Sequence, residues 1–382
     1  MKSLNLGLIK REIRPLIISE LFKNKVIILY GPRRVGKTTL TQNILNHIQK
    51  KHPKKTITFL NGDEPHIREN LTNKSSTELK AFIGQTDILA IDEAQRIKNI
   101  GLTLKLIHDN YPEIQIIATG SSSFDLANQI KEPLTGRSFE LNLYPLSLQE
   151  IKNHLKTSKL NPLPLDQYLI NGTYPEIFTF SNPTKTIQNI ANNYLYKDVL
   201  IFQNIKSSEI LDKLLQTLAL QIGSEVSYNE LANLVGIDKL SIQRYLSILE
   251  QAFIIFRLTP FSRNLRKELN KKRKIYFWDL GIRNAIINNF NPLNLRNDTG
   301  PLWENFTIAQ KIISDRNQKL NYNYYFWRTY DQQEIDFIKE AQGKLEAYEI
   351  KWSAKKKINP PKAWRENYPN STFKVLTPQS IL

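Results

Sequence analysis

Eight consecutive residues, Gly31, Pro32, Arg33, Arg34, Val35, Gly36, Lys37 and Thr38, spell the pattern G-x-x-x-x-G-K-[ST] in full. Glycine lets backbone N–H groups wrap around phosphate oxygens, and a helix that starts at the end of such a loop aims its positive dipole end at them. An apolar run precedes the loop, and helical spacing from Thr38 onward follows it, as the pattern requires. Lys37 would reach the β- and γ-phosphates of a nucleoside triphosphate. Thr38 would offer its hydroxyl to Mg²⁺, with Thr39 beside it. The cofactors expected here are ATP and Mg²⁺.

An acidic pair has the right place for the same chemistry. Asp92 and Glu93 close the apolar stretch Asp87-Ile-Leu-Ala-Ile91. Asp92 would belong to the Mg²⁺ shell. Glu93 would orient or deprotonate the attacking water, which favours hydrolysis over phosphoryl transfer to a metabolite. The stretch Ile114–Thr119 ends in Gly120-Ser121-Ser122-Ser123. A polar residue at that tip, Thr119 first, can touch the γ-phosphate or the water; Ser123 can equally be a helix N-cap. Arg137 follows in Leu134-Thr-Gly-Arg137. It could stabilise transition-state charge, in cis or across a subunit boundary, or be a surface ion pair.

Three acids and a lysine gather near the end of the chain. Asp336 lies in Glu334-Ile-Asp-Phe-Ile, and Glu349 and Lys351 lie in Ala347-Tyr-Glu-Ile-Lys-Trp352. Both segments alternate, so period two puts Glu349 and Lys351 on one strand face. Glu304 precedes them on a helical stretch. This order resembles the PD-(D/E)xK nuclease core. The resemblance implies Mg²⁺ on Asp336 and Glu349, with Glu304 completing the shell and Lys351 steadying the nucleophile or the developing charge. The plainer reading is a relic fold whose polar residues only bind or stabilise.

Several elements must position these residues. Val26–Tyr30, Thr56–Leu60, Ile88–Ile91, Ile114–Thr119 and Phe139–Leu143 read as strands separated by helical stretches. That alternation predicts an α/β domain with a parallel sheet. Helical patterns dominate 147–205. Ser227 to Gly236 reads as a helix and tight turn, and Lys239 to Gln251 as a second helix with Leu240, Tyr245, Leu246 and Leu249 inward. With strands after it, this is a helix-turn-helix with a wing. The run from Arg263 to Lys274 holds seven basic residues and one acid, a charge of +6. It suits phosphate contacts or is a solvated loop. Asn288 to Gly300 reads as a linker, before a helix over 301–314 and strands near 322–328, 334–339, 345–352 and 372–376.

Composition narrows the field. Of 382 residues, 53 are Lys or Arg and 36 are Asp or Glu, a net charge of +17 that favours a polyanionic partner, nucleic acid first and an anionic membrane surface second. Cysteine is absent, which excludes disulfides, thiol nucleophiles and cysteine metal sites. The histidines are His47, His52, His66, His108 and His154, so the second half must run its chemistry without imidazole. No apolar run suits a membrane span or a signal peptide, so a cytoplasmic protein without membrane contact is expected.

The segments GPRRVGKTTL, ILAIDEAQRI, ATGSSS, LTGRSFELNLYPLS, NGTYPEIF, NNYLYKDVL, IYFWDLGIRNAI, GPLWENF and EIDFI…EIKW occur in this order. In that combination the chain resembles the bacterial and archaeal AAA-type ATPases whose C-terminal half is classed as a domain of unknown function. The resemblance implies a core of strand order 5-1-4-3-2, then a winged-helix segment and a restriction-endonuclease-like end. The expected domains are 1–146 (AAA-type P-loop ATPase), 147–206 (helical lid or linker), 207–290 (winged-helix-like) and 291–382 (PD-(D/E)xK-like α/β). The expected protein is a Mg²⁺-dependent ATP hydrolase that binds DNA, is a candidate homo-oligomer, and carries a candidate nuclease site. Its rivals are a nucleotide-driven switch whose winged helix binds protein, and a non-catalytic DNA-binding regulator.

Overall fold

A computed structural model describes residues 8–120, 130, 132–158, 164–202, 208–262, 272–329, 331–353 and 357–381. They divide into two compact units, one of residues 8–146 with 251–253, the other of 147–250 with 254 onward.

The first unit is built on five strands: β1 (Val26–Tyr30), β2 (Ile57–Asn61), β3 (Ile88–Asp92), β4 (Gln115–Gly120) and β5 (Ser138–Asn142). All pairings are parallel, in the order β2-β3-β4-β1-β5. This is the expected 5-1-4-3-2 sheet read from its other edge. β1, β3 and β4 are buried at every position, which is why their sequences are continuous apolar runs rather than alternating ones. The edge strands β2 and β5 are only partly covered and carry more polar residues. The helix Lys37–Lys51 buries Leu40, Ile44, Leu45 and Ile48, one helical stripe. These four join Ile27, Leu29, Ile88, Ala90 and Ile117 in one core. Each such side chain contributes about 1.5–3 kcal/mol, so the helix that opens at the phosphate loop is firmly seated.

The second unit holds a seven-stranded mixed sheet. Its strands are β6 (Glu225–Val226), β7 (Ile255–Pro260), β8 (Arg273–Phe277), β9 (Asn323–Arg328), β10 (Glu334–Ala341), β11 (Lys344–Ile350) and β12 (Thr372–Leu376). The order is β12-β11-β10-β9-β7-β8-β6. β7 and β9 pair in parallel at Thr259↔Tyr325 and Pro260↔Phe326. One sheet therefore runs across the expected boundary between 290 and 291. The stretch Asn288 to Gly300 is likewise no loose linker. The Arg296 side chain is fully buried and its Nε lies 2.8 Å from Asp298 Oδ1, while Arg283 Nη1 lies 2.6 Å from Asp298 Oδ2. Two guanidinium groups inside the fold need that carboxylate, and it fixes the segment.

Two short helices precede β7. Ser227 caps the helix Tyr228–Val235 by accepting from the Glu230 N–H, and Gly236, at φ 85°, ends it. The next helix, Lys239–Gln251, buries Ile242, Leu246, Ile248 and Leu249. Leu240, expected inside, is 75% exposed. At 100° per residue it sits about 160° from Ile242, about 120° from Leu246 and about 180° from Leu249, on the far side of the helix from the 242-246-249 stripe. Leu246→Ala should therefore cost about 2–5 kcal/mol, and Leu240→Ala no more than ~0.5 kcal/mol. Urea unfolding of the two variants checks this; equal losses would mean that the face is assigned wrongly.

Candidate functional site

β1 delivers the chain to the phosphate loop at Gly31. A Cβ there would overlap the Leu143 carbonyl oxygen, so no larger residue fits. Gly36, at φ 97°, turns the chain into the helix that starts at Lys37. Pro32 and Val35 are buried, Arg33 is half-buried, and Arg34 and Thr39 are exposed. Lys37 is 4% exposed and folds back into the loop, where its Nζ donates to the carbonyls of Gly31 (3.0 Å) and Pro32 (2.9 Å).

Three strand or helix ends meet beside it. The Thr38 hydroxyl donates to Asp92 Oδ2 at 2.6 Å, and the Thr119 hydroxyl donates to Asp92 Oδ1. Helix start, β3 and β4 are thereby joined at the carboxyl ends of the parallel strands, where open α/β sheets bind ligands. Among the described residues, the Asp92 carboxylate is held by these two hydroxyls and by no ammonium or guanidinium. Glu93 follows in the left-handed region, φ 49° and ψ 40°. Such backbone strain in a non-glycine residue costs about 1–3 kcal/mol and gathers at functional sites. Its carboxylate accepts from Gln95 Nε2 at 2.6 Å.

The sequence reading missed Arg11. Its Nη1 donates to the Val35 carbonyl (2.8 Å) and its Nη2 to that of Tyr144 (2.6 Å). One buried guanidinium thus braces the loop. It lies 24 residues before Val35 and 133 before Tyr144, and no local pattern marks it.

Arg137 is not at this site. Its carbonyl accepts from the Val26 N–H, so it sits beside the first residue of β1, whereas the phosphate loop follows the last. The strand between them is about 13 Å long. Its Nε pairs instead with Asp109 Oδ1 at 2.7 Å. This surface ion pair is the alternative that the sequence left open for Arg137. Ser121, Ser122 and Ser123 lie outside the described residues.

The C-terminal acids do come together, but with company the sequence did not reveal. Asp336 sits where the β9–β10 register shifts, between Ile335 and Ile338, a bulge that re-aims side chains. Its Oδ2 accepts from the Ile350 N–H at 2.7 Å. Lys351 Nζ lies 2.7 Å from Glu349 Oε1 and 3.6 Å from Asp336 Oδ2. Lys274, expected in an exposed basic run, is 2% exposed. Its Nζ lies 3.2 Å from Glu304 Oε1 and 2.5 Å from Glu334 Oε1. The Tyr276 hydroxyl donates to Glu304 Oε1 at 2.6 Å. Arg273 is buried as well, at 9% exposure, so two of the seven cations of that run cannot face phosphates. Residues 263–271 of that run lie outside the described residues.

These surroundings bias the charges. Burial pushes the Glu304 carboxyl up to about 7; Lys274 pulls against this and the Asp336 carboxylate adds to it. Burial also raises Glu349, with Asp336 adding. Burial lowers Lys274, but Glu304, Glu334 and Asp336 overcome this and hold its ammonium above the ordinary range. Among the described residues no three Asp, Glu or His side chains are grouped to hold a metal ion. Glu304, Asp336 and Glu349, the expected metal set, are each paired here with Lys274 or Lys351.

Comparison with known proteins agrees with the first unit. Residues 23–152 match the family model described as AAA domain. Residues 163–293 and 299–379 match models described as domains of unknown function, DUF8612 and DUF4143. A Mycobacterium tuberculosis protein described as uncharacterized is 26% identical over 337 residues, covering 87% of this chain and 71% of its own. A Methanocaldococcus jannaschii protein, described in the same way, is 29% identical over 271 residues, covering 64% of this chain and 58% of its own. Among solved structures, AMPPCP-bound DnaA from Aquifex aeolicus is similar at a TM-score of 0.35 and 16% identity, over 65% of this chain and 90% of that one. The parallel sheet, the phosphate loop and the family match together make residues 23–152 a P-loop domain of the AAA type. No helix among the described residues is long and apolar enough to cross a membrane.

The raised Glu304 group gives a pH signature. Between its ordinary value of 4.5 and about 7 the folded chain holds a proton that the unfolded chain releases. Its contribution to stability is therefore fully present below 4.5 and is lost as pH rises through about 7. Glu304→Gln should flatten the fall in unfolding free energy between pH 5 and 8. Denaturant melts across that range check it, and an unchanged slope would remove Glu304 as its source.

Proposed function

We propose that the chain is an ATP hydrolase of the AAA type whose second unit binds duplex DNA. The observation that carries the first half is the junction of Thr38, Asp92 and Thr119 at the mouth of a phosphate loop. Lys37 leaves its two carbonyl partners for the β- and γ-phosphates, which replace weak acceptors with charged ones. The loop N–H groups and the helix N-terminus bind the remaining phosphate oxygens.

Asp92 and Thr38 fit a Mg²⁺ ion, because a carboxylate held only by hydroxyls keeps its charge and its oxygen lone pairs for a hard cation. The ion would offset phosphate charge there. Glu93, released from Gln95, takes the proton of the attacking water, and its strained backbone fixes the carboxylate at the strand tip. Thr119 holds Asp92 in place from the next strand.

Lys37→Ala should abolish hydrolysis and weaken nucleotide binding together. Glu93→Gln should lower turnover by about 10²–10⁴-fold, the usual worth of a general base, with nucleotide affinity within a few-fold of the parent. Steady-state hydrolysis and titration with a fluorescent nucleotide separate the two. Parent-like turnover in the glutamine variant would sink the role given to Glu93.

The helix-turn-helix and the three-stranded antiparallel group β6-β8-β7 support the reading of a winged helix. The helix Lys239–Gln251 shows Lys239 and Arg244 on its exposed face. These replace Arg273 and Lys274 as candidates for phosphate contact. Each phosphate contact contributes about −0.9 to the slope of log K against log salt. Lys239→Ala with Arg244→Ala should flatten that slope by up to ~1.8, read by fluorescence anisotropy on duplex DNA. An unchanged slope would move the DNA surface elsewhere; hydrolysis that ignores DNA but answers to a protein would favour the switch.

A further inference from the structure

We infer that Lys274 is a built-in counter-ion that stands where a divalent metal would stand, so that the carboxylate centre of the second unit is complete without metal. The inference starts from strand geometry. On β8, period two puts Lys274 and Tyr276 on one face, and both reach the same oxygen, Glu304 Oε1, at 3.2 and 2.6 Å. The ammonium also lies 2.5 Å from Glu334 Oε1 on β10. It packs 5.7 Å from the centre of the Phe326 ring, and its side chain is 3% exposed.

Each of the four carboxylates then has a cationic neighbour. Glu304 and Glu334 share Lys274, and Glu349 and Asp336 share Lys351. Arg328 adds a longer contact of 3.8 Å to Glu334. All four carboxylates therefore have a cation within 4 Å. A metal ion needs several of these oxygens at once and would meet a buried, tethered ammonium at short range. Such like-charge contact in a low-dielectric interior is prohibitive. The contrast lies within the same chain: Asp92 has hydroxyl neighbours that suit the cation proposed there, whereas these four have ammonium neighbours. Removing the Lys274 charge should leave an uncompensated carboxylate cage, and a metal should then enter.

Terbium(III) is the probe, because it prefers carboxylate oxygens and is sensitised by nearby tyrosine such as Tyr276. Every sample is the nucleotide-free full chain carrying Asp92→Asn, which silences the other candidate cation site. The chain with Lys274 intact should show no saturable luminescence, and adding Glu304→Gln should change nothing. Lys274→Met should create a one-to-one site at least about tenfold tighter than any residual binding, where a factor of ten is ~1.4 kcal/mol. Lys274→Met with Glu304→Gln should lose it. Saturable binding with Lys274 intact that Glu304→Gln abolishes would overturn the inference, and this pair decides the matter even if the methionine variant does not fold. A folded Lys274→Met chain that gains no site would overturn it too. Plasmid incubated with the parent chain in Mg²⁺ or Mn²⁺ should stay supercoiled.

Discussion

A charge buried in a protein must be matched on the spot, and this constraint organises both halves of the chain. An unmatched ammonium or carboxylate in the interior costs several kcal/mol. Lys37 meets it with two loop carbonyls, Lys274 with Glu304 and Glu334, and Arg283 and Arg296 with Asp298. Lys339 meets it with Asp315 at 2.8 Å. These solutions differ in what they leave available. Carbonyls are neutral and weak partners, so Lys37 can exchange them for phosphate oxygens. Carboxylates are strong partners, so Lys274 and the two arginines are fixed. One lysine is a binding group and the other a structural cation for the same electrostatic reason.

Close packing around the phosphate loop follows from a second constraint, the lack of room for side chains. Gly31 lies against the Leu143 carbonyl, and Gly62 against that of Glu93. Arg11 fastens the loop to the chain after β5 by two carbonyl contacts. The loop is therefore rigid before any ligand arrives, which lowers the ordering cost of binding. Glu93 is held in a strained turn at the end of a fully buried strand, where the sheet around it can bear the strain.

The second unit shows how one sheet can unite segments that look independent. β7 and β9 share only two paired positions, yet these join the strands next to the helix-turn-helix to the strands that carry the acids. Through β8, the same sheet carries Lys274 from the first group to Glu334 of the second, and to Glu304 on the helix Thr299–Asn317. Lys274, the last residue of the basic run, thus belongs to the ion pairs of the acidic cluster.

What the sequence by itself determined was the local chemistry. The loop from Gly31 to Thr38, the strand ends Asp92 and Thr119, and the five parallel strands were legible because each depends on contiguous residues and on period. So was the shared strand face of Glu349 and Lys351. Tertiary structure decided whatever depends on distance in space. Arg137 follows the right strand in sequence, but it sits at the wrong end of the sheet, since a parallel strand is entered at the end opposite its exit. Leu240 is apolar, but helical phase turns it outward. Arg11 and Lys274 carry no local signal, because a buried cation is recognised only by the partners that the fold brings to it.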